Sequence, residues 1–196
     1  MSDCIRCFIA IEIPAEIQTA LSRTITQAQL NRDTGFRPVR SESIHLTLKF
    51  LGDVEQENLA GIASGLGELC NMVESFTFQV SGLGAFSTWD RPRTIWAGLL
   101  YPPALADLFR LVDEFTTLAG FPGESRKFSP HLTLARVIEQ ADAMVVRQKI
   151  HVLQSLSGTF FGVVQATHVT LFKSLLQPGG SRYQPLSVHP FSRQKV

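Results

Sequence analysis

Apolar and polar positions along the chain fall into two series of the same order. An apolar run from Phe8 to Ile13 reads as a strand and a helix-like stretch follows from Ala15 to about Leu30. A short alternating string, His45-Leu46-Thr47-Leu48, then reads as a second strand. Later the order recurs: Thr94 to Leu100, a helix-like stretch from Ala104 to about Ala119, and His131-Leu132-Thr133-Leu134. Each string is followed by an acidic or polar break, Gly52 to Glu55 or Glu139 to Asp142, and by a second helix-like stretch, roughly 56–72 or 141–154. β-like sequence closes each half: Phe76 to Val80 in the first, Phe160 to Val164 and Val169 to Phe172 in the second. Gly35-Phe36 precedes His45 by 10 residues and Gly120-Phe121 precedes His131 by 11. The predicted fold class is therefore α+β, a duplicated β-α-β-α-β unit whose 86-residue spacing marks two pseudo-repeated lobes rather than a solenoid.

The alternation within each string sends His and Thr to one side of a strand and the two Leu residues to the other. Two such strands facing each other place two imidazoles and two hydroxyls around one small volume. Histidine titrates near neutrality, so one imidazole can deprotonate an attacking hydroxyl while the other protonates a leaving oxygen. Thr47 and Thr133 can donate to the non-bridging oxygens of a phosphate ester. Arg136 lies five residues after His131, on the opposite face if the strand stays regular. A bulge near Ala135 would turn its guanidinium toward the site, where it would neutralise developing charge. The carboxylate clusters of a two-metal nuclease are missing beside the motifs, and no cofactor or metal is expected.

A third match, His168-Val169-Thr170-Leu171, competes for the role. The repeat favours His45 and His131, which hold equivalent places in their halves, and leaves His168 to structure or the site margin. His151 and His189 have no partner pattern. Cys4-Ile5-Arg6-Cys7 invites a redox or metal reading, but the apolar run after it puts Cys7 at the start of a strand. There, residues three apart lie on opposite faces and cannot bridge. With only Cys70 in addition, these thiols read as inert.

At 196 residues and 44% hydrophobic content, residues 1–196 can bury a core as one domain. No apolar run approaches the length of a membrane helix, and Met1-Ser2-Asp3-Cys4 carries no secretory pattern, so a cytoplasmic location is expected; a monomer is expected as well. The net charge of +1 hides an asymmetry. The 54 residues after Asp142 hold Arg147, Lys149, Lys173, Arg182, Arg193 and Lys195 without an Asp or Glu, so they carry +6 against −5 for the first 142. That pattern fits a phosphate-attracting face, and equally a solvated face with a basic tail.

The chain resembles the two-histidine phosphoesterase superfamily, specifically the bacterial RNA 2′,3′-cyclic phosphodiesterases, formerly called 2′-5′ RNA ligases. The matching stretches are Arg6 to Pro14, Ile44 to Asp53, Gly82-Leu83-Gly84-Ala85-Phe86, Phe128 to Arg136, and Pro178-Gly179-Gly180-Ser181-Arg182-Tyr183. The resemblance implies a bilobal fold with two antiparallel sheets flanking a central cleft and helices outside. It implies metal-independent hydrolysis of RNA 2′,3′-cyclic phosphate ends, or of nucleotides bearing them, to 2′-phosphomonoesters, with 2′-5′ ligation as the reverse reaction. It carries the proton-donor role onto His45, the proton-acceptor role onto His131, and phosphate contacts onto Thr47, Thr133 and Arg136. Phe172-Lys173-Ser174 stands where many relatives have an aromatic-Glu-Ser. The alternatives are the same chemistry on small cyclic nucleotides and a non-catalytic RNA- or nucleotide-binding module.

Overall fold

The computed structural model describes residues 4–177 and 180–192. Met1 to Asp3, Pro178-Gly179, Arg193 and Lys195 lie outside the described residues. Within them the chain forms β1 (Cys4–Glu12), α1 (Ala15–Gln27), β2 (Phe36–Pro38), β3 (His45–Glu55), α2 (Leu59–Cys70), β4 (Phe76–Phe86) and β5 (Thr94–Leu100). α3 (Pro103–Leu118), β6 (Leu132–Val137), α4 (Ala143–Ser155), β7 (Phe160–Ala166), β8 (His168–Gln177) and β9 (Gly180–Pro190) complete it.

The strands pair antiparallel in the order β7-β4-β5-β6-β3-β1-β8-β9, with β2 added to β6. The two expected sheets are the two halves of this order, β7-β4-β5-β6 and β3-β1-β8-β9. They meet through one backbone pair, Leu46 opposite Leu132, at the centres of the two HLTL strings. The halves exchange their closing strands. Phe76 to Phe86, which follows the first HLTL string in sequence, pairs with β5 of the other half, and β8 returns to β1. Short-range periodicity identifies a strand but does not specify its neighbour, so this exchange has no signature in the sequence order.

β1 lies in the middle of its half-sheet and is covered on both faces, which suits an unbroken apolar run. Cys7, Ile9 and Ile11 enter the main core, while Phe8 and Ala10 join a smaller cluster with Phe172 and Tyr183 on the cleft face. The helices bury one stripe each against the outer face. α1 contributes Ile17, Leu21 and Ile25, and α3 contributes Leu105, Leu108 and Val112, at the spacing of an amphipathic helix. Asp142 caps α4 by accepting from the Met144 and Val145 N–H groups at 2.8 and 3.2 Å.

Four local details differ from the sequence reading. Gly52 to Glu55 is no break: β3 runs through it, with Arg6 opposite Asp53 and Cys7 opposite Gly52. Gly52 sits at φ 75°, so the strand kinks there and continues. The Gly35-Phe36 and Gly120-Phe121 pairs are not equivalent. Gly120 ends α3 in a Schellman motif, Phe121 N–H bonding to Thr116 O and Gly120 N–H to Thr117 O. At the end of α1 the same bonds run from Leu30 to Ile25 and from Gln29 to Thr26, with Gln29 at φ 52°. Gln29-Leu30 is thus the counterpart of Gly120-Phe121. Finally, β2 and β9 are strands that the sequence reading does not predict. β9 contains Pro185 and Pro190 and forms a sheet edge, where a missing N–H is tolerated.

Candidate active site

Each HLTL histidine is fixed by its own chain two residues back. His45 Nδ1 lies 2.7 Å from Ser43 O, and His131 Nδ1 lies 2.8 Å from Ser129 O. A carbonyl only accepts, so both Nδ1 atoms carry the hydrogen and both Nε2 atoms are left to exchange protons with a ligand. A neutral imidazole held this way is a base at Nε2, and a protonated one is an acid at the same atom. Ser43 ends a 3₁₀ turn over Ser41–Ser43, and Ser129 precedes Pro130, so two unrelated backbone paths deliver the same tautomer.

Because Leu46 and Leu132 are opposed in antiparallel register, His45 flanks that pair on the Thr133 side and Thr47 on the His131 side. All four face a cleft of about 400 Å³. Arg136 faces it as well, through a bulge. Ile95 is opposite Ala135 while its neighbour Trp96 is opposite Thr133, so Leu134 is an extra residue in β6. The alternation is reset, Leu134 and Ala135 are both buried, and the next side chain points into the cleft. β3 carries the same device. Ile9 is opposite Lys49 and Ala10 opposite Thr47, making Leu48 the extra residue, and Phe50 takes the place that Arg136 holds in the other half.

Aromatic side chains wall both imidazoles. Phe8 lies 4.8 Å from the His45 ring, centroid to centroid, and Tyr183 meets it edge-on at 5.0 Å, with Phe172 stacked behind Phe8 at 5.1 Å. Phe86 meets the His131 ring edge-on at 4.8 Å, with Trp96 at 6.4 Å. Gly84 makes room for this wall: it is paired with Trp96 across β4 and β5, and a Cβ there would overlap the indole. Desolvation lowers the pKa of His45 below the ordinary histidine value; the Ser43 carbonyl opposes this and the nearby His131 adds to it. Desolvation likewise lowers that of His131, opposed by the Ser129 carbonyl and reinforced by the Arg136 guanidinium. The two imidazoles are close enough to influence each other's charge.

The structure thus brings His45, His131, Thr47, Thr133 and Arg136 to one cleft. It leaves His168 outside, its Nε2 within hydrogen-bond distance of a Glu12 carboxylate oxygen at 3.0 Å. The β8 segment Phe172-Lys173-Ser174 puts Phe172 in the aromatic wall and Ser174 at the cleft, with Lys173 opposite Cys7. Cys4, Cys7 and Cys70 are all unbonded, and burial pushes the Cys70 thiol up to about 12. Among the described residues no group of three or more His, Cys, Asp or Glu converges as a metal cage would. The site residues that sequence reading did not single out are the aromatic walls. Phe8, Phe86, Trp96 and Tyr183 come from four different strands, and no local pattern marks them as neighbours.

The profile of the LigT-like phosphoesterase family matches residues 11–96 and 100–183. This chain belongs to that family. A protein named RNA 2′,3′-cyclic phosphodiesterase from Methanocaldococcus jannaschii is 31% identical, over 91% of this chain and 96% of its own length. One of the same name from Escherichia coli K12 is 29% identical over 95% and 96%. Among solved structures, E. coli LigT complexed with 3′-AMP aligns with a TM-score of 0.76 at 27% identity, covering 97% of this chain and all of that one. TT0787 of Thermus thermophilus aligns with the same TM-score at 25% identity, covering 95% and 98%. The α+β fold with a curled antiparallel sheet is therefore a family property.

Proposed function

We propose that this LigT-like phosphoesterase hydrolyses the 2′,3′-cyclic phosphodiester at RNA ends to a 2′-phosphomonoester, by acid–base chemistry on two histidines and without a metal. The observation that carries this reading is the pair of imidazoles with matched Nδ1 anchors and free Nε2 atoms on one cleft. The names of the relatives point to the same substrate. In the proposed step a water attacks phosphorus while His131 Nε2 takes its proton. The bond to O3′ breaks, and His45 Nε2–H delivers a proton to that oxygen. The products are a free 3′-hydroxyl and a 2′-phosphate, and the histidines exchange protonation states until solvent resets them.

One feature supports this division of roles: Arg136 beside His131 adds to the disfavouring of its cation, as suits the proton acceptor. Thr47, Thr133 and Arg136 would hold the non-bridging oxygens, whose charge grows in the transition state. The reverse step, attack by a 5′-hydroxyl, would give a 2′-5′ linkage through the same groups.

On this reading the protein acts as a monomer of two pseudo-repeated lobes. No described helix is long and apolar enough to cross a membrane, and the reading places the protein in the cytoplasm with its RNA substrates. The test is incubation with an RNA ending in a 2′,3′-cyclic phosphate, in EDTA, with the product's phosphate located. A 2′-phosphate formed at an undiminished rate is expected. A 3′-phosphate, or activity abolished by EDTA and restored by metal, would overturn the reading.

A further inference from the structure

A second groove of about 410 Å³ opens from one end of the catalytic cleft, sharing Val39, Ser43, Arg136, Ser181 and Tyr183 with it. Its other charged lining residues are Arg32, Arg37 and Arg40, and among the described residues no Asp or Glu lines it. Asp33 and Glu42 belong to the same stretch of chain but are exposed and lie outside the groove lining. Among the described residues none of these four arginines is in a salt bridge. Arg37 is paired directly opposite Arg136 across β2 and β6, so the two side chains share one face. Like charges at directly opposed positions destabilise a sheet. Here they are kept, without a carboxylate between them, on a three-residue strand that pairs only with β6 among the described residues. An arrangement that repels itself in the free protein is relieved by an anion, and a row of guanidiniums leading away from a phosphate site matches a row of phosphates.

We infer that the Arg37–Arg40 groove is the track for the single RNA strand 5′ of the cyclic phosphate, so that the enzyme takes an RNA chain end in preference to a free cyclic mononucleotide. This rests on the proposed reaction. The terminal nucleotide occupies the histidine cleft, Arg136 stands at the junction, and Arg40, Arg37 and Arg32 meet the next backbone phosphates. The basic residues that form the track come from the first 142 residues, whose net charge is negative, and not from the basic C-terminal stretch.

The test compares Arg37→Gln, Arg40→Gln and the double variant with the unmodified protein on two substrates, a short RNA ending in a 2′,3′-cyclic phosphate and 2′,3′-cyclic AMP. For the double variant, kcat/KM on the oligonucleotide is expected to fall by about tenfold or more, through KM. The slope of its logarithm against log[salt] should flatten by about 1.4, roughly 0.7 for each single-strand phosphate no longer neutralised. Turnover of the cyclic mononucleotide should stay within about twofold, which also reports an intact fold. Equal loss on both substrates would mean the arginines act at the reacting phosphate, and loss on neither would mean the strand runs elsewhere. Either result overturns the track. If the unmodified protein cleaved neither substrate, the proposed reaction would fail on its own. Fluorescence anisotropy with a 2′-phosphate-ended oligonucleotide would still decide the track: weaker binding by the double variant supports it, and equal binding overturns it.

Discussion

The two sides of the cleft begin from the same four residues and arrive at different environments. In both, a backbone carbonyl two residues upstream fixes the histidine tautomer, Thr follows on the same face, and a bulge at the second Leu resets the strand. Beyond the bulge they part. On the His45 side the inward position is Lys49, buried and bonded to Asp113 and the Pro122 carbonyl, and the cleft-facing position is Phe50, 69% exposed. On the His131 side the same two positions are Ala135, fully buried, and Arg136, facing the cleft. One side is enclosed by Phe8 and Tyr183, and the charge acting on its imidazole is that of His131. The other carries a permanent cation beside it. Identical motifs leave both histidines with the same free Nε2 atom, and their neighbours differ in charge.

The largest effects should come from the histidines themselves. His45→Ala and His131→Ala are each expected to lower turnover by at least ~10²-fold, the scale of a lost positioned acid or base. The double variant should fall far short of the product of the two, since both serve one step. His168→Ala, which breaks hydrogen bonds with Thr167 and Glu12 outside the cleft, should cost much less. A His168 variant as impaired as the His131 variant would undo the comparison at its root.

Next come the groups that stabilise charge. Thr47→Val and Thr133→Val are each expected to lose roughly 1.5–3 kcal/mol of transition-state stabilisation, or about ten- to 150-fold in kcat/KM, with the pH profile unchanged in shape. Arg136→Lys keeps the charge and loses the fork, so a clear drop in rate without a shift of either pH limb is expected. Arg136→Ala should add a shift. Without the guanidinium the pKa of His131 rises, and one limb of the profile moves to higher pH. Unshifted limbs would show that Arg136 does not set the asymmetry.

Smaller effects on catalysis should follow from the scaffold. Lys49→Met removes one partner of a mostly buried ion pair and leaves Asp113, itself partly exposed, without it. A loss of up to about 3 kcal/mol in chemical denaturation is expected, with the pH profile retained. Gly84→Ala pushes the Trp96 indole against its neighbours. A destabilisation of about 1–3 kcal/mol is expected from the overpacking, with a modest loss of rate through the His131 wall.

What the sequence disclosed follows the range of its signals. The HLTL strings were legible because alternation over four residues determines which side chains share a face, and two copies at matched positions select one pair out of three candidates. The helices were legible from their apolar stripes. The bulges were not, because Leu48 and Leu134 continue an apolar pattern and only the pairing partner reveals the extra residue. Alternation puts Arg136 on the cleft only if β6 bulges, and the pairing with β5 supplies that bulge. The exchange of β4 and β8 between halves, the aromatic walls and the β2–β6 arginine pair all depend on contacts between distant segments. Gly35-Phe36 misled because a shared dipeptide is weaker evidence than a shared hydrogen-bond pattern: the left-handed cap of α1 is Gln29.

The measurement that tests the two-histidine account most directly is kcat/KM against pH on a cyclic-phosphate substrate. Burial, and for each imidazole its neighbouring charged group, lower both pKa values in the free protein. The singly protonated pair is therefore most populated below the ordinary histidine value of about 6.5. The account predicts a bell-shaped profile with its maximum on the acid side of that value. A monotonic rise into alkaline pH, as for attack by hydroxide or a metal-bound hydroxide, would contradict it.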